Sequence, residues 1–549
     1  MAATTAPAPL SRSGSVLRPV ILHGLLFILL MVVATGLAAL LTAVFHGFDA
    51  QQVSTEHLAM AWAFSLVGIP LAWLLWRSIR KRLAHPTAFD SAIWSLQASA
   101  AYLATLAASS CAALAVLSGL VAPSIQGAWQ PTLGTALGWG AVCAWQHRQI
   151  VAARTAPRQF AHLAAAVGNY FSMVLVALSL VATLKAALEI LVRPDNTLAG
   201  PTGMRHLLVA AIWLAGATAL WFWHWKLRRV QKMSDPFNDI LLIALGLAAP
   251  ALALLLSGAT LFSWAWPQAW TAQERTGLIL AGGPELLAIV VASAVIWIYH
   301  QLQLRSGLRS TSIVNAARLV LGGLGLAVLA TGLGMVVNAL FAAIAASVTV
   351  EHSAGLLGHG LGLLILGAAV WLAYFKPFKP SPADSRSVYL VLFFGASSVV
   401  ALISLLVLGY RIFEYYLGSE TRLDSLLDTV RAPLGWLVAT AAVAGYHFVL
   451  WRADKQSKAE ASGVSAVDHS SVTRRAVIIV GPAASEPMAA QLVARPELSV
   501  TWVASAGPAL DDRAEVSVLA RIEEYLDCES GPLLAIANDD GTVQFTDLA

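Results

Sequence analysis

Six short runs in this chain gather aromatic, His and basic side chains. They are Trp73-Leu74-Leu75-Trp76-Arg77, Trp145-Gln146-His147-Arg148, Trp223-His224-Trp225-Lys226, Trp297-Ile298-Tyr299-His300, Trp371-Leu372-Ala373-Tyr374-Phe375-Lys376 and Gly445-Tyr446-His447-Phe448. Imidazoles at membrane helix ends could ligate a haem or a metal, or relay a proton. The simpler role for such rings is anchoring, because amphipathic side chains favour the headgroup region. Recurrence favours anchoring, since six copied helix ends need not converge on one point. Trp76, Gln146, His224, His300, Phe375 and His447 are therefore expected at the interface, with no cofactor and no metal.

A second set of polar residues falls deeper in apolar segments: His23, Gln97, Asn169, Lys185, Asn315, Arg318, Asn338 and His359. A charge at the bilayer centre costs at least about 2.5 kcal/mol, so such groups should face protein or water. Lys185 and Arg318 lie near span ends and are expected to snorkel to the surface. Interhelical hydrogen bonding is the expected use of the others, and a transport pathway the alternative. Gly134-xxx-Gly138 and Gly358-xxx-Gly362, with the cluster from Gly322 to Gly334, permit close helix approach. The membrane part contains no HExxH, Walker loop or nucleophile elbow, so a non-enzymatic role is expected. Cys111, Cys143 and Cys528 form no CxxC or disulfide pattern.

The elements that must position these residues are membrane helices. Of the 549 residues, 58% are hydrophobic and only 12% charged, which calls for a lipid partner. Apolar segments at 19–45 and 57–76, 91–122 and 131–147, 160–192 and 204–225, 237–263 and 280–300, 312–347 and 353–375, and 387–416 and 432–451 predict about twelve spans in six hairpins. In each hairpin the first helix is the longer. Lys and Arg crowd the N-terminus and the loops after even spans, as at Arg77, Arg80, Lys81, Arg82, Lys226, Arg228, Arg229 and Arg452, so both termini are expected in the cytoplasm. Basic residues sit at helix ends rather than in one stripe, which excludes a nucleic-acid surface.

The hairpin resembles the domain of unknown function 5671 family, bacterial membrane proteins of paired helices whose second helix closes on Tyr-His-aromatic followed by basic and acidic residues. Tyr446, His447, Arg452 and Asp454 match that ending best. Tyr299, His300 and Arg305 match well, and His224, Trp225, Arg228 and Arg229 in part. The first, second and fifth hairpins depart from it, with Trp76, Gln146 and Phe375 near the His position. The resemblance covers most of 15–455 and implies a bacterial inner-membrane protein with no assigned activity.

The domain plan is a tail at 1–18, a transmembrane domain at 19–454, a Ser/Ala-rich flexible linker at 455–473 and a small α/β domain at 474–549. The last carries roughly 12 acidic against 5 basic residues, and its acidity suggests docking on the basic cytoplasmic loops. Strands are expected at 476–480, 499–504, 533–537 and 543–546, with helices at 487–494 and 515–525. Gly481-Pro482-Ala483-Ala484-Ser485 lacks the spacing of a nucleotide loop and reads as an ordinary strand-to-helix turn. A sensing or assembly platform is the favoured role, and a secondary transporter of a small solute the alternative.

Overall fold

The computed structural model describes residues 12–467 and 475–547, apart from 48–53, 124–128, 193–200, 234, 269–275, 308, 346–349, 376–382, 419–424, 483–484, 486–491, 493–494, 496–497, 506–507, 529–532 and 539–541. The chain divides into two compact units, Met1–His447 and Phe448–Ala549.

Among the described residues the first unit is built from helices and their connecting turns. The first hairpin is α1 (Arg12–Phe45) with α2 (Thr55–Leu66) and α3 (Gly68–Arg82). The second is α4 (Ala88–Val121) with α5 (Trp129–Val151), and the third α6 (Leu163–Val192) with α7 (Pro201–Phe222). The fourth joins α8 (Pro236–Leu241) and α9 (Ala249–Gln268) to α10 (Thr276–Arg305). The fifth pairs α11 (Thr311–Ala345) with α12 (Val350–Tyr374), and the sixth α13 (Ala383–Leu417) with α14 (Leu426–Val467).

Local chemistry sets the starts and breaks. Thr87 and Asp90 form a capping box on α4: Thr87 Oγ1 accepts from the Asp90 N–H at 3.1 Å, and Asp90 returns a carboxylate to the Thr87 N–H. Pro70 has no N–H, its ring crowds the Leu66 carbonyl, and the helix is interrupted at Val67 between α2 and α3. Pro250 acts likewise on the Gly246 carbonyl. The ladder there widens into a π-helical stretch, Leu242–Ala248, closed by the Ala249 N–H donating to Ala244.

Eleven described helical segments are long and apolar enough to cross a bilayer, fewer than the expected twelve. The helix that falls short is α5. At 23 residues it has the length, but Gln130, Thr132 and Thr135 near one end and the run Gln146-His147-Arg148-Gln149 at the other leave no sufficiently apolar window. Its length, about 35 Å at 1.5 Å per residue, still reaches across a bilayer, and it packs tightly on α1, where a Cβ at Gly138 would overlap the backbone of Ala38.

One neighbour relation joins successive hairpins: the first helix of each packs on the second helix of the next. Thus α1 meets α5, α4 meets α7, α6 meets α10, and α9 meets α12. The fifth junction brings α11 against α14, where the Arg431 guanidinium donates to Asn338 Oδ1 at 3.2 Å.

The second unit contains a four-stranded sheet in the order β2-β1-β3-β4, from β1 (Arg475–Pro482), β2 (Leu498–Ser505), β3 (Leu533–Ala537) and β4 (Val543–Asp547). β1 lies parallel to both β2 and β3, and β4 pairs antiparallel with β3. α15 (Asp512–Cys528) buries Val518 and Ile522 with Val477, Ile479 and Leu533, while Tyr525 stacks on Phe545 at 4.3 Å. The expected strands and the 515–525 helix are present. Of the expected helix at 487–494 only Leu492 is described, and the turn residues Asp539 to Gly541 lie outside the described residues, though the Asn538 N–H donates to Thr542 at 2.9 Å across that turn.

The linker differs from expectation. α14 continues through 455–467 as helix, and 468–473 lies outside the described residues. Its Ala, Lys, Glu and Gln content supports helix once a preceding helix supplies the nucleus, whereas the Ser/Ala bias alone reads as coil.

Candidate functional site

The six recurrent end residues are buried in the bundle rather than laid on its surface. Trp76 and Phe375 are 7% exposed, His224 and His300 1%, and Gln146 and His447 0%. The expectation of interfacial anchors fails for these positions because each points at a neighbouring helix. Side chains nearby are the exposed ones: Trp73 is 55% exposed with Arg77 over its ring at 5.6 Å, and Phe448 and Trp451 are also exposed.

Helix geometry gives the three buried imidazoles one arrangement. Each lies four residues after a carbonyl on its own helix, and a carbonyl can only accept. Nδ1–H therefore donates to Leu220 at 2.9 Å in His224, to Ile296 at 2.8 Å in His300 and to Val443 at 2.8 Å in His447. This leaves the Nε2 lone pair of the neutral ring facing the interior. The Tyr102 hydroxyl from α4 donates to His224 Nε2 at 3.1 Å. In His300 and His447 no group among the described residues hydrogen-bonds Nε2.

Glycines on the first helices make room for two of these rings. A Cβ at Gly168 would overlap the His224 imidazole, and one at Gly246 would press on His300. His447 lies instead among Phe375, Tyr389 and Phe393, with centroids between 5.9 and 6.4 Å from its own. Gln146 reaches across the second hairpin to donate to the Ala98 carbonyl at 3.3 Å, and Trp76 packs on Trp94 at 5.2 Å.

Aromatic edges then join the second helices in series. Trp76 meets Trp145, Trp221 meets Tyr299, Trp297 meets Tyr374, and Trp371 meets Tyr446, all T-shaped with centroids 5.4 to 6.3 Å apart. His147 fills the remaining link by packing on Trp223 at 5.5 Å. Trp225 adds an indole hydrogen bond to Tyr299 Oη at 2.5 Å.

The deeper polar residues are divided among hairpins. His23, Gln97 and Asn169 are buried, one on each of α1, α4 and α6, as expected for groups that must avoid lipid. His23 packs beside Trp94 at 5.9 Å, while both amide atoms of Asn169 lack a hydrogen-bond partner among the described residues. Asn315, Arg318 and His359 are half-buried. Asn338 takes the Arg431 hydrogen bond of the fifth junction. Lys185 does not simply snorkel: its Nζ lies 2.7 Å from Glu285 on α10.

Sequence reasoning missed two features. Asp239 and Arg309 form an ion pair at 2.6 Å with side chains 10% and 4% exposed, and Arg309 also donates to the Met233 carbonyl at 2.5 Å. The second is a small residue eight positions before each end residue: Gly68, Gly138, Gly216, Ala292, Gly367 and Ala439. Aligning the six endings would have exposed that regularity.

Among the described residues no group of three or more His, Cys, Asp or Glu side chains is placed to hold a metal. In the second unit, Ser485 Oγ accepts from the Leu510 N–H at 3.0 Å, which spends that hydroxyl on packing. Residues 19–145, the first two hairpins as far as Trp145, match the family described as Domain of unknown function (DUF5671). That match supports the family resemblance over the first two hairpins, whose endings depart from the family's pattern; the better-matching endings at His224, His300 and His447 lie outside the matched range. No curated protein and no solved structure matches the chain.

Proposed function

We propose that the membrane unit is a non-enzymatic platform of a bacterial inner membrane, with both termini cytoplasmic and the C-terminal α/β module displayed for sensing or assembly. The observation that carries this reading is the fate of the recurrent residues. Trp76, Gln146, His224, Phe375 and His447 are engaged in contacts within or between neighbouring hairpins, a use that builds a frame rather than a pathway. The Lys/Arg distribution supports the orientation.

The module offers a face for a partner. On α15, Asp512, Val516, Ala520 and Glu524 are exposed opposite the buried Val518 and Ile522, with Val516 at 67%. A photo-crosslinking amino acid placed at Val516 in intact cells is expected to yield protein adducts of discrete mass, while the same probe at Leu402 on α13 yields none. Absence of adducts from both Val516 and Glu524 overturns the platform reading and makes the transporter the favoured one.

A further inference from the structure

Between α6 and α7 of the third hairpin lies a cavity of about 690 Å³ with chemically unlike ends. Leu175, Leu178, Val209 and Trp213 form an apolar wall, and Lys185, Glu189 and His206 stand toward the helix ends. Leu175 and Glu189 are fourteen residues apart on one helix, about 21 Å at 1.5 Å per residue. That matches half of a bilayer about 40–45 Å thick with its headgroup regions, so the slot has the length of one leaflet.

The polar end combines both signs. Lys185 Nζ lies 2.7 Å from Glu285 Oε2, with side chains 39% and 55% exposed, so the pair retains open hydrogen-bonding positions. An ammonium has three donors and a carboxylate about four acceptor sites, and one contact spends one of each. Glu189 lies one helical turn beyond Lys185. His206 donates Nδ1–H to the Thr202 carbonyl at 2.9 Å, leaving Nε2 for another partner. A wholly anionic guest would meet two carboxylates, and a wholly cationic one would meet Lys185. A guest carrying a phosphate and a protonated amine a few bonds apart satisfies both.

We infer that this slot binds a zwitterionic phospholipid with a primary ammonium headgroup, of the phosphatidylethanolamine class. Its phosphate lies at Lys185, its ammonium at Glu189 and Glu285, and one acyl chain runs along Leu175, Leu178 and Trp213. The amine N–H groups set the selectivity: a trimethylated headgroup has no donors for the carboxylates, and a glycerol headgroup has no positive charge. A charge-assisted hydrogen bond contributes about 1.5–3 kcal/mol, so the preference is expected to be about tenfold or more.

The test uses full-length protein purified in mild detergent and incubated with equal amounts of dioleoyl phosphatidylethanolamine, phosphatidylcholine and phosphatidylglycerol, with bound lipid read by native mass spectrometry. Retention of the ethanolamine lipid about tenfold above the other two is expected. Glu189→Gln should reduce that preference toward unity. Lys185→Met should lower retention of all three, with Lys185→Arg restoring it. Ala182→Phe fills the slot without altering a charge and should displace the lipid from protein that remains monodisperse. Equal retention of the three lipids, a preference for the glycerol headgroup, or a preference unchanged in both Glu189→Gln and Ala182→Phe overturns the assignment.

Discussion

Replacing Arg309 by methionine would strand a carboxylate. Arg309 Nη1 lies 2.6 Å from Asp239 Oδ1 and donates to the Met233 carbonyl, while Nη2 reaches toward the Gln231 carbonyl. The guanidinium thus ties the entry to the fifth hairpin onto the link between the third and fourth. With side chains only 4% and 10% exposed, water cannot replace the lost partner readily. Removing one member of a buried pair costs about 3–5 kcal/mol, which lowers the folded-to-unfolded ratio by roughly two to three and a half orders of magnitude. The double variant Asp239→Leu with Arg309→Met removes both charges and should recover most of this loss. Reversible unfolding of the four proteins in mixed micelles, followed by tryptophan fluorescence, gives the double-mutant cycle. A single-variant cost under about 1 kcal/mol, or simple additivity in the double variant, would refute the view that this clasp is a buried and mutually dependent pair.

Burial of the end residues is checked by comparing neighbours: Trp76→Ala should cost about 3–5 kcal/mol, whereas Trp73→Ala, losing an exposed cation–π contact, should cost about 1 kcal/mol in the same unfolding assay. A Cβ at residue 435 would overlap the Gly334 carbonyl. Gly435→Leu should therefore force α11 and α14 apart at a cost of about 1–3 kcal/mol or more, read as lower thermal stability and a longer spin-label distance across the junction. Tyr102→Phe removes the donor to His224 Nε2 and should cost about 1–3 kcal/mol, with an imidazole nitrogen NMR shift reporting loss of the hydrogen bond. Spin labels at positions 455 and 466 should be separated by roughly 16 Å with a narrow spread if the helix continues, against a broad spread for coil.

Much of the membrane architecture was legible because the bilayer imposes a length and a polarity on each span. Hydropathy found every first helix, and the charge step after Trp451 marked the end of the apolar part. The module was equally readable, since the apolar run Ala476 to Val480 and the Asn538 turn are local signals. Burial of Trp76 and His224 was not, because an aromatic helix end has the same composition whether it faces headgroups or protein. The partners of Lys185 and Asp239 were hidden by distance along the chain, 100 residues for Glu285 and 70 for Arg309. Those pairs follow from which helices become neighbours, a property of the assembled array. The linker was misread for a simpler reason: Ala and Lys favour helix when a helix is already running, and composition alone does not convey what precedes it.

The packing of each first helix on the second helix of the following hairpin also sets a schedule for biogenesis. A newly inserted hairpin cannot complete its outer contacts until about 75 more residues have been made. At about 5–20 residues per second, that is an interval of roughly 4–15 seconds. During each interval the groups destined for the next junction face lipid or the insertion machinery: Ala38, then Tyr102, then Lys185, then Ala259, then Asn338. The chain therefore passes five times through a state whose unfinished edge is more polar or more closely contoured than lipid prefers. Retention of that edge by an insertase or chaperone until its successor arrives would let all five junctions form in order.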